Sequence, residues 1–364
     1  MSKKRKIIKW SLFAISSLII LVVLFGVWFI SLLPPLPESA KNIKNTLPSE
    51  LTYLTENIVP NRGKILAIVT STDSMGNSGK STGYELTELS RAYYIFQANG
   101  YDVDVASPLG GLPPVVLDGD DMKEYDYAFL NDATAQSKVT NSIAVKDIDP
   151  IDYQAVYFVG GKGAMFDFPD NEYIQAIVKE LYESDKVIGA VCHGPAALVN
   201  VTLSNGESIL SNKKISSFTN QEELLLIPDA PEIFPFLLQD KLIENGAQFN
   251  EGSLYLNNVS EEGNLLTGQN PWSTWKLAES MIKQLGHEPK KREITAEENS
   301  IAILGVYEKN GLDKAKNMVE NFSMENILID RELLAVHGLL AAYQFRIGKF
   351  INLIRLLRYS NTFL

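Results

Sequence analysis

The sequence predicts an α/β fold in which helices cover both faces of a doubly wound, mostly parallel sheet. Short apolar, partly β-branched runs recur along the chain, and such runs are typical of strands buried on both faces of a parallel sheet. Stretches with helical spacing separate these runs. Because a strand–helix–strand order joins parallel neighbours by a right-handed crossover, the ligand site is expected at the carboxyl ends of the strands.

The predicted elements follow in chain order. Residues 64–70 are predicted as the first buried strand, residues 85–99 as a helix with one apolar face, and residues 101–106 as the next strand. The later elements continue to residue 285 and are a strand at 153–159, a helix at 171–184, a strand at 187–191, a strand at 214–218, strands near one edge at 248–257 and 264–267, and a helix at 271–285.

Two further segments follow this domain, which is predicted over residues 62–286. Residues 287–299 are predominantly polar and charged and are predicted as a linker. Residues 300–364 are helical in pattern throughout, with Gly311 and Gly348 between helix pairs. A tetratricopeptide-like repeat and a plain helical cap both fit this pattern, since fewer than two full repeats are present.

The N-terminus is predicted to anchor the chain in a membrane. Residues 1–9 are strongly basic, and the uncharged stretch at 10–33 exceeds the ~20 residues that a helix needs to cross a bilayer. Prolines at 34, 35 and 37 end this helix, and residues 34–61 form a stalk. The basic flank places the N-terminus in the cytoplasm and the catalytic domain outside it. A cleaved signal peptide is the alternative.

Composition excludes several classes of function. The net charge is -11, and no basic stripe lies outside the extreme N-terminus, so we expect no nucleic-acid partner. A single cysteine excludes an intramolecular disulfide. The three histidines lie far apart and no CxxC or HExxH motif is present, so no dedicated metal site is expected.

Cys192 is the only cysteine, and it lies between the strand at 187–191 and a predicted helix start. Pro195 suits the first turn of a helix, and Gly194 supplies backbone freedom for a sharp turn. This order predicts a nucleophile elbow with cysteine in the place of serine, a buried structural cysteine being the alternative. Because a helix start favours the thiolate, we expect the pKa of the thiol to lie below its usual value of about 8.5. The next residue, His193, needs a third group to hold its imidazole.

The stretch AVCHGPAAL at 190–198 resembles the nucleophile elbow of the ThiJ/PfpI superfamily, the class I glutamine-amidotransferase-like fold, and in particular its heat-shock chaperone and glyoxalase III branch. Further stretches agree in order and are STGYELTEL at 81–89, VASPLGG at 105–111, GGKGAMFDFP at 160–169, SFTNQEE at 217–223, PFLL at 235–238 and TGQNP at 267–271. The resemblance implies a flavodoxin-like sandwich.

The resemblance also implies partners for the thiol. Glu88 falls at the family's glutamate beside the cysteine. A second negative charge there would oppose the thiolate, so we expect Glu88 to keep its proton and to donate a hydrogen bond to sulfur. Glu223 falls where the branch with a Cys-His-acid triad carries its carboxylate, and it would orient His193. The neighbouring Glu222 stays an alternative.

Gly160 and Gly161 end a predicted strand and permit the close backbone approach that oxyanion donors need. We expect the N–H groups of Gly161 and His193 to be these donors. Lys162 stands where the branch usually has histidine, in GGKG rather than GGHG. Lysine adds a positive charge near the thiolate but is a poor base at neutral pH. Glu85 is expected to be an exposed helix carboxylate.

The predicted function is that of a membrane-anchored, cysteine-dependent enzyme resembling glutathione-independent glyoxalase III. It would convert a small 2-oxoaldehyde such as methylglyoxal to a 2-hydroxy acid through a hemithioacetal on Cys192, without a cofactor. A PfpI-type amidase or peptidase and a non-enzymatic holdase chaperone or stress sensor are the alternatives. A homodimer and a protein partner at the C-terminal helices are left open.

Overall fold

A computed structural model describes residues 3–33, 42–119 and 121–363, with part of the side chains in the first helix left out. The chain divides into two compact units. The larger unit comprises Glu38–Glu293, and the smaller unit combines Met1–Pro37 with Ile294–Leu364.

The strands all belong to the larger unit. They are β1 (Gly63–Ile68), β2 (Tyr84–Glu85), β3 (Tyr101–Ser107), β4 (Val115–Val116), β5 (Ile143–Ala144), β6 (Ala155–Phe158), β7 (Val187–Val191), β8 (Lys214–Ile215), β9 (Gln248–Phe249), β10 (Val259–Glu262) and β11 (Leu265–Gly268). Seven of them form one sheet in the order β10-β11-β7-β6-β1-β3-β5. Neighbouring strands are parallel except for β10 and β11. The pairs β2–β4 and β8–β9 form two small parallel sheets.

The α-helices are α1 (Lys3–Ile30), α2 (Thr52–Thr55), α3 (Leu86–Ala98), α4 (Glu124–Leu130), α5 (Ala133–Thr140), α6 (Ala164–Asp167), α7 (Glu172–Glu183), α8 (Asn220–Leu226), α9 (Ala230–Ile233), α10 (Leu238–Glu244), α11 (Thr274–Gln284), α12 (Ala296–Asn310), α13 (Leu312–Met324), α14 (Arg331–Tyr343) and α15 (Ile347–Ser360).

Two apolar cores lie on opposite faces of the main sheet. Ile65 and Ala67 of β1 belong to the core that contains residues of α3 and α11, whereas Leu66 and Ile68 belong to the core that contains residues of α7. The alternation follows from the two-residue period of a strand, and burial on both faces explains why residues 65–68 of β1 are all apolar. The parallel α/β part of the predicted fold class fits this arrangement.

The predicted edge of the sheet differs from the observed one. The stretches expected to be strands at 214–218 and 248–257 contain only the two-residue strands β8 and β9, outside the main sheet. Buried Ser216 donates its N–H to the Thr267 hydroxyl and its own hydroxyl to the Asn250 carbonyl, so side chains replace part of the ladder there. The edge is instead β10, which carries glutamates and lacks the apolar pattern of a buried strand.

The predicted membrane anchor is wrong. Across 3–33, 42–119 and 121–363, no helix is long and apolar enough to cross a membrane. The prediction of a transmembrane span at 10–33, with a cytoplasmic N-terminus and an extracytoplasmic catalytic domain, is therefore withdrawn. Near the end of α1, Phe29 is buried, and the ring centroids of Phe25 and Phe350, which belong to the same compact unit, lie 6.3 Å apart. The prolines at 34, 35 and 37 lie outside the described residues.

The smaller unit contains the helices at the C-terminus. An N-terminal capping box on Thr295 and Glu298 begins α12, and Asp330 caps α14 through the N–H groups of Glu332 and Leu333. The Arg331 guanidinium donates to the Ser360 carbonyl, which joins α14 to the end of α15. Whether these helices form a repeat or a plain cap stays a prediction.

Residues 42–61, expected to be part of a stalk, pack onto the α/β unit. Leu51 and Tyr53 are buried, and the Asn99 side chain donates a hydrogen bond of 3.1 Å to the Tyr53 hydroxyl. Lys290, near the end of the same unit, donates to the Tyr53 carbonyl. The segment thus ties the end of α3 to residues that follow α11.

The turn after β7 depends on the small size of Gly194. A Cβ atom on this residue would lie 2.3 Å from the backbone carbonyl oxygen of Phe158, which cannot move without disturbing β6. We expect Gly194→Ala to lower the free energy of unfolding by about 3 kcal/mol, as overpacking of a dense core does. Gly119→Ala, with open space around its Cβ, should change the stability by less than about 0.5 kcal/mol. Urea unfolding of both variants measures the difference, and equal stabilities would contradict this account.

Candidate active site

Cys192 occupies a sharp turn at the carboxyl end of β7. Its φ is 58°, a left-handed conformation that costs energy for a residue with a side chain. Two backbone hydrogen bonds of 2.9 Å hold it there: Cys192 N–H donates to the Gly268 carbonyl, and the Phe218 N–H donates to the Cys192 carbonyl. A short 3-10 helix, Gly194–Leu198, follows. The conformational freedom that we expected of Gly194 is therefore required of Cys192 itself, whereas Gly194 is needed for space.

A chain of side-chain contacts runs from the thiol to a carboxylate. Cys192 Sγ lies 3.3 Å from His193 Nδ1, and His193 Nε2 lies 2.6 Å from Glu223 Oε2. All three side chains are buried, and the His193 ring packs against Phe218 with centroids 4.8 Å apart. Burial alone would raise the pKa of Glu223, but the contact with His193 and the charge of Lys162 outweigh it and hold that pKa below its ordinary value. The charged carboxylate can fix the orientation of the imidazole.

The structure separates the two neighbouring glutamates. Glu222 faces away from the histidine and accepts hydrogen bonds from the Thr219 N–H, the Tyr255 N–H and the side chains of Gln269 and Asn270. With Thr219 it forms the capping box that begins α8. Glu222 therefore fixes the start of the helix, and Glu223 is the one that contacts His193.

Glu88 lies in the first turn of α3 and is fully buried. Its Oε2 accepts a hydrogen bond of 2.7 Å from the Gly160 N–H, while Oε1 has no partner among the described residues. A Cβ atom at position 160 would lie 2.4 Å from Glu88 Oε2 and 2.8 Å from Cys192 Cβ. Glycine at this position thus leaves the space in which the carboxyl group and the cysteine meet.

The predicted lowering of the thiol pKa is not found. Burial raises the pKa of Cys192 well above its ordinary value, and a charged Glu88 would raise it further, against the lowering effect of Lys162. The sequence argument relied on a helix start, but the five-residue 3-10 helix is too short for a large dipole. Burial also raises the pKa of Glu88 well above its ordinary value, followed by the charge of Glu85. Both effects favour the protonated form of Glu88.

Backbone donors are available beside the thiol. Among the described residues, neither the Gly161 N–H nor the His193 N–H has a hydrogen-bond acceptor. Gly161 has a φ of 102°, and a Cβ atom there would lie 2.3 Å from the Gly83 carbonyl oxygen. The close approach of two backbone segments explains this glycine, and the free N–H groups suit an oxyanion.

Lys162 and Glu85 are the remaining charged groups of the site. Glu85 was not expected there from the sequence. Glu85 is not the exposed carboxylate that we expected: it is the residue that precedes α3, and its Oε1 is buried without a partner among the described residues. Burial raises its pKa to about 7, against the lowering charge of Lys162. The helical spacing placed Glu85 inside α3, one turn before Glu88, and gave no sign of the small sheet β2–β4 that turns it inward.

No three His, Cys, Asp or Glu side chains in the described part of the chain are grouped so that they could hold a metal ion.

Replacing Glu222 and Glu223 one at a time by glutamine should distinguish their roles. Glu222→Gln replaces the carboxylate by an amide, which accepts fewer hydrogen bonds from the donors around it. We therefore expect the free energy of unfolding to fall by about 2–4 kcal/mol. Glu223→Gln should leave the stability nearly unchanged but lower the rate of Cys192 alkylation by iodoacetamide at neutral pH about tenfold, because the imidazole loses its charged partner. Urea unfolding and alkylation of the single thiol measure both. The reverse assignment of effects would refute this division.

Comparison with known proteins identifies the family. The sequence profile of the DJ-1/PfpI family matches residues 80–225. The chain is 29% identical over 234 residues to "Glyoxalase 3" of Candida albicans, covering 60% of this chain and 96% of the relative. The solved structure of Rapid Encystment Protein 24 kDa from Francisella tularensis is 35% identical, with a TM-score of 0.58 over 61% of this chain and 99% of that one. The solved structure of glyoxalase III from Candida albicans is 27% identical in sequence. The match covers 61% of this chain and 97% of that one, with a TM-score of 0.56. The resemblance read from the motifs is confirmed, and the chain belongs to the DJ-1/PfpI family.

Proposed function

We propose that this chain is a cysteine-dependent enzyme of the glyoxalase III type, which converts a 2-oxoaldehyde to a 2-hydroxy acid without glutathione. The observation that carries the proposal is the contact of one buried thiol with two proton-handling groups, His193 at 3.3 Å on one side and the protonated Glu88 on the other. A hydrolase needs only the first of these. Moving a proton between two carbon atoms needs a second group beside the substrate.

The first step is addition of sulfur to the aldehyde carbon. His193 accepts the thiol proton while Glu223 holds its imidazole, and the new C–S bond shifts the carbonyl electron pair to oxygen. The N–H groups of Gly161 and His193 donate to that oxygen. Glu88 gives its proton to the oxyanion, which forms the hemithioacetal. The negative charge on sulfur has then gone, so Glu88 can carry a charge in its place.

The second step is an internal oxidation and reduction of the substrate. As a carboxylate, Glu88 takes the proton from the former aldehyde carbon. The electron pair of that C–H bond forms a double bond to the neighbouring carbon, whose carbonyl electron pair moves to oxygen and accepts the proton held by His193, which gives an enediol and a neutral imidazole. Glu88 then returns its proton to the neighbouring carbon, and the hydroxyl on the sulfur-bearing carbon gives its proton to the Glu88 carboxylate and becomes the carbonyl of the 2-hydroxy acid thioester. Water then cleaves the thioester, with His193 as the base, and releases the acid and the thiol. The substrate supplies all the electrons, so no external cofactor is consumed.

Two substitutions of Glu88 test the proton-transfer step. Glu88→Gln keeps a neutral hydrogen-bond donor beside sulfur but cannot carry a proton between carbons. We expect alkylation of Cys192 within about threefold of the wild type and turnover of methylglyoxal at least about 100-fold lower. Glu88→Leu removes the donor as well and should slow alkylation too. Turnover by Glu88→Gln at the wild-type rate would exclude Glu88 from the transfer.

Formation of lactate from methylglyoxal tests the function as a whole. We expect lactate to form without glutathione, and Cys192→Ala and Cys192→Ser to lose at least about 1000-fold in rate, because no group replaces the thiolate. Circular dichroism shows whether the variants fold. Equal lactate formation by wild type and Cys192→Ala would reject the proposal. Cysteine-dependent cleavage of peptides without lactate would favour an amidase or peptidase, and suppression of aggregation that survives Cys192→Ala would favour a holdase.

A further inference from the structure

Lys162 brings a positive charge to the site. Its side chain is half-buried, and its charge acts on Glu85, Glu88, Cys192 and Glu223. Within the part of the chain that the structure describes, its ammonium forms no hydrogen bond or ion pair with any of them. An ammonium without a protein partner can bind an anionic group of a ligand.

Glu85 faces the same space from the start of α3. Its N–H donates to the Gly160 carbonyl at 3.2 Å, which fixes its backbone beside the two glycines that precede Lys162. Its Oε1 is buried and has no described hydrogen-bond partner. A carboxyl group in such a place accepts a proton more easily than one in water, so its charge can change near neutral pH.

We propose that Lys162 and Glu85 form a subsite for an anionic group on the carbonyl substrate, in which the Lys162 ammonium attracts the anion and the charge of Glu85 decides how strongly. This inference rests on the proposed function and narrows its substrate class to 2-oxoaldehydes that carry a carboxylate. Histidine, which the family usually has at this position, lacks a fixed positive charge at neutral pH. Methylglyoxal itself lacks a charged group and would leave the subsite unused.

The proposal has a defined dependence on pH. The groups whose charges act on Glu85 are Lys162 and Arg91, which favour its ionised form, and Asp118 and Asp121, which oppose it. The charge of Glu85 in turn raises the pKa of Glu88, after the larger effect of burial. Burial dominates and raises the pKa of Glu85 to about 7. Below that pH the carboxyl of Glu85 is neutral and does not oppose the charge of Lys162. Above it, the carboxylate cancels that charge, so the preference for anions falls as the pH rises through about 7.

Two alkylating reagents that differ in charge measure this preference directly. Iodoacetate is an anion and iodoacetamide is neutral, and both react with the thiolate of the single cysteine. The ratio of their rate constants cancels the fraction of thiolate, which both reactions share. We expect the ratio for the wild type to fall about three- to tenfold between about pH 6 and pH 8.5.

Variants at both positions test the assignment. Lys162→Gln should give a low ratio at every pH, Lys162→Arg should keep the wild-type ratio and pH dependence, and Glu85→Gln should give a high ratio that no longer falls with pH. Lys64→Gln is the matched control, because Lys64 lies on β1 near its start, at the opposite end of the strand from the site. A ratio in Lys162→Gln within about twofold of the wild type, or an unchanged pH dependence in Glu85→Gln, overturns the inference.

Turnover of two matched substrates separates this inference from the proposed function. We expect kcat/KM for 4,5-dioxopentanoate to exceed that for the uncharged 2-oxopentanal at about pH 6, and Lys162→Gln to abolish the difference by raising KM for the anion alone. Turnover of both aldehydes at equal rates would overturn the subsite but keep the function. Turnover of neither, with the alkylation ratio behaving as expected, would keep the subsite and reject the function.

Discussion

The buried contact between Glu88 and Cys192 constrains the other parts of the site, because two acidic groups share a space in which only one of them can carry a negative charge. Burial raises the pKa of both. In the proposed mechanism, the resting state keeps a proton on the carboxyl group, and the thiolate forms when His193 accepts the proton of sulfur. The space itself exists because residue 160 lacks a side chain, whose first atom would lie within 3 Å of both groups. In the proposed mechanism, the neighbouring residues act by supporting this one arrangement.

The charge balance around the thiol differs from that expected for the family. Lys162 supplies a positive charge where the resemblance leads to histidine, and Glu85 adds a carboxyl group that the sequence pattern placed on an exposed helix face. The charge of Lys162 also helps to hold the pKa of Glu223 below its ordinary value. In the proposed subsite, the charge that changes near neutral pH is that of Glu85. This carboxyl group at the start of α3 would thus adjust the electrostatics that an anionic substrate meets.

The sequence predicted the parallel strands and the elbow because both depend on local patterns. Buried central strands must be apolar at every position, and the junction at Cys192 has few conformations open to it. The edge strand β10 and the small sheet β2–β4 were not predicted. These elements are defined by pairing with other strands and not by an apolar period in the sequence. For the same reason Glu85 was placed on the wrong side of its helix. The direction of the thiol pKa was wrong because burial, which depends on the whole fold, outweighs a short helix start. The apolar N-terminal stretch could not reveal that Phe29 packs inside its own unit.

Glu222 and Glu223 are neighbours in sequence but contact different parts of the structure. Successive residues of a helix point about 100° apart, so two adjacent carboxylates cannot serve the same partner. Glu222 is held by Thr219 and by the loop and strand end that carry Tyr255, Gln269 and Asn270. These contacts fix the first turn of α8 on the sheet, and the next side chain along the helix then reaches His193 at 2.6 Å. The orientation of the His193 imidazole therefore depends on the carboxylate of Glu222, which does not touch it. A substitution at Glu222 should then disturb the reactivity of the thiol only to the extent that it loosens the start of α8.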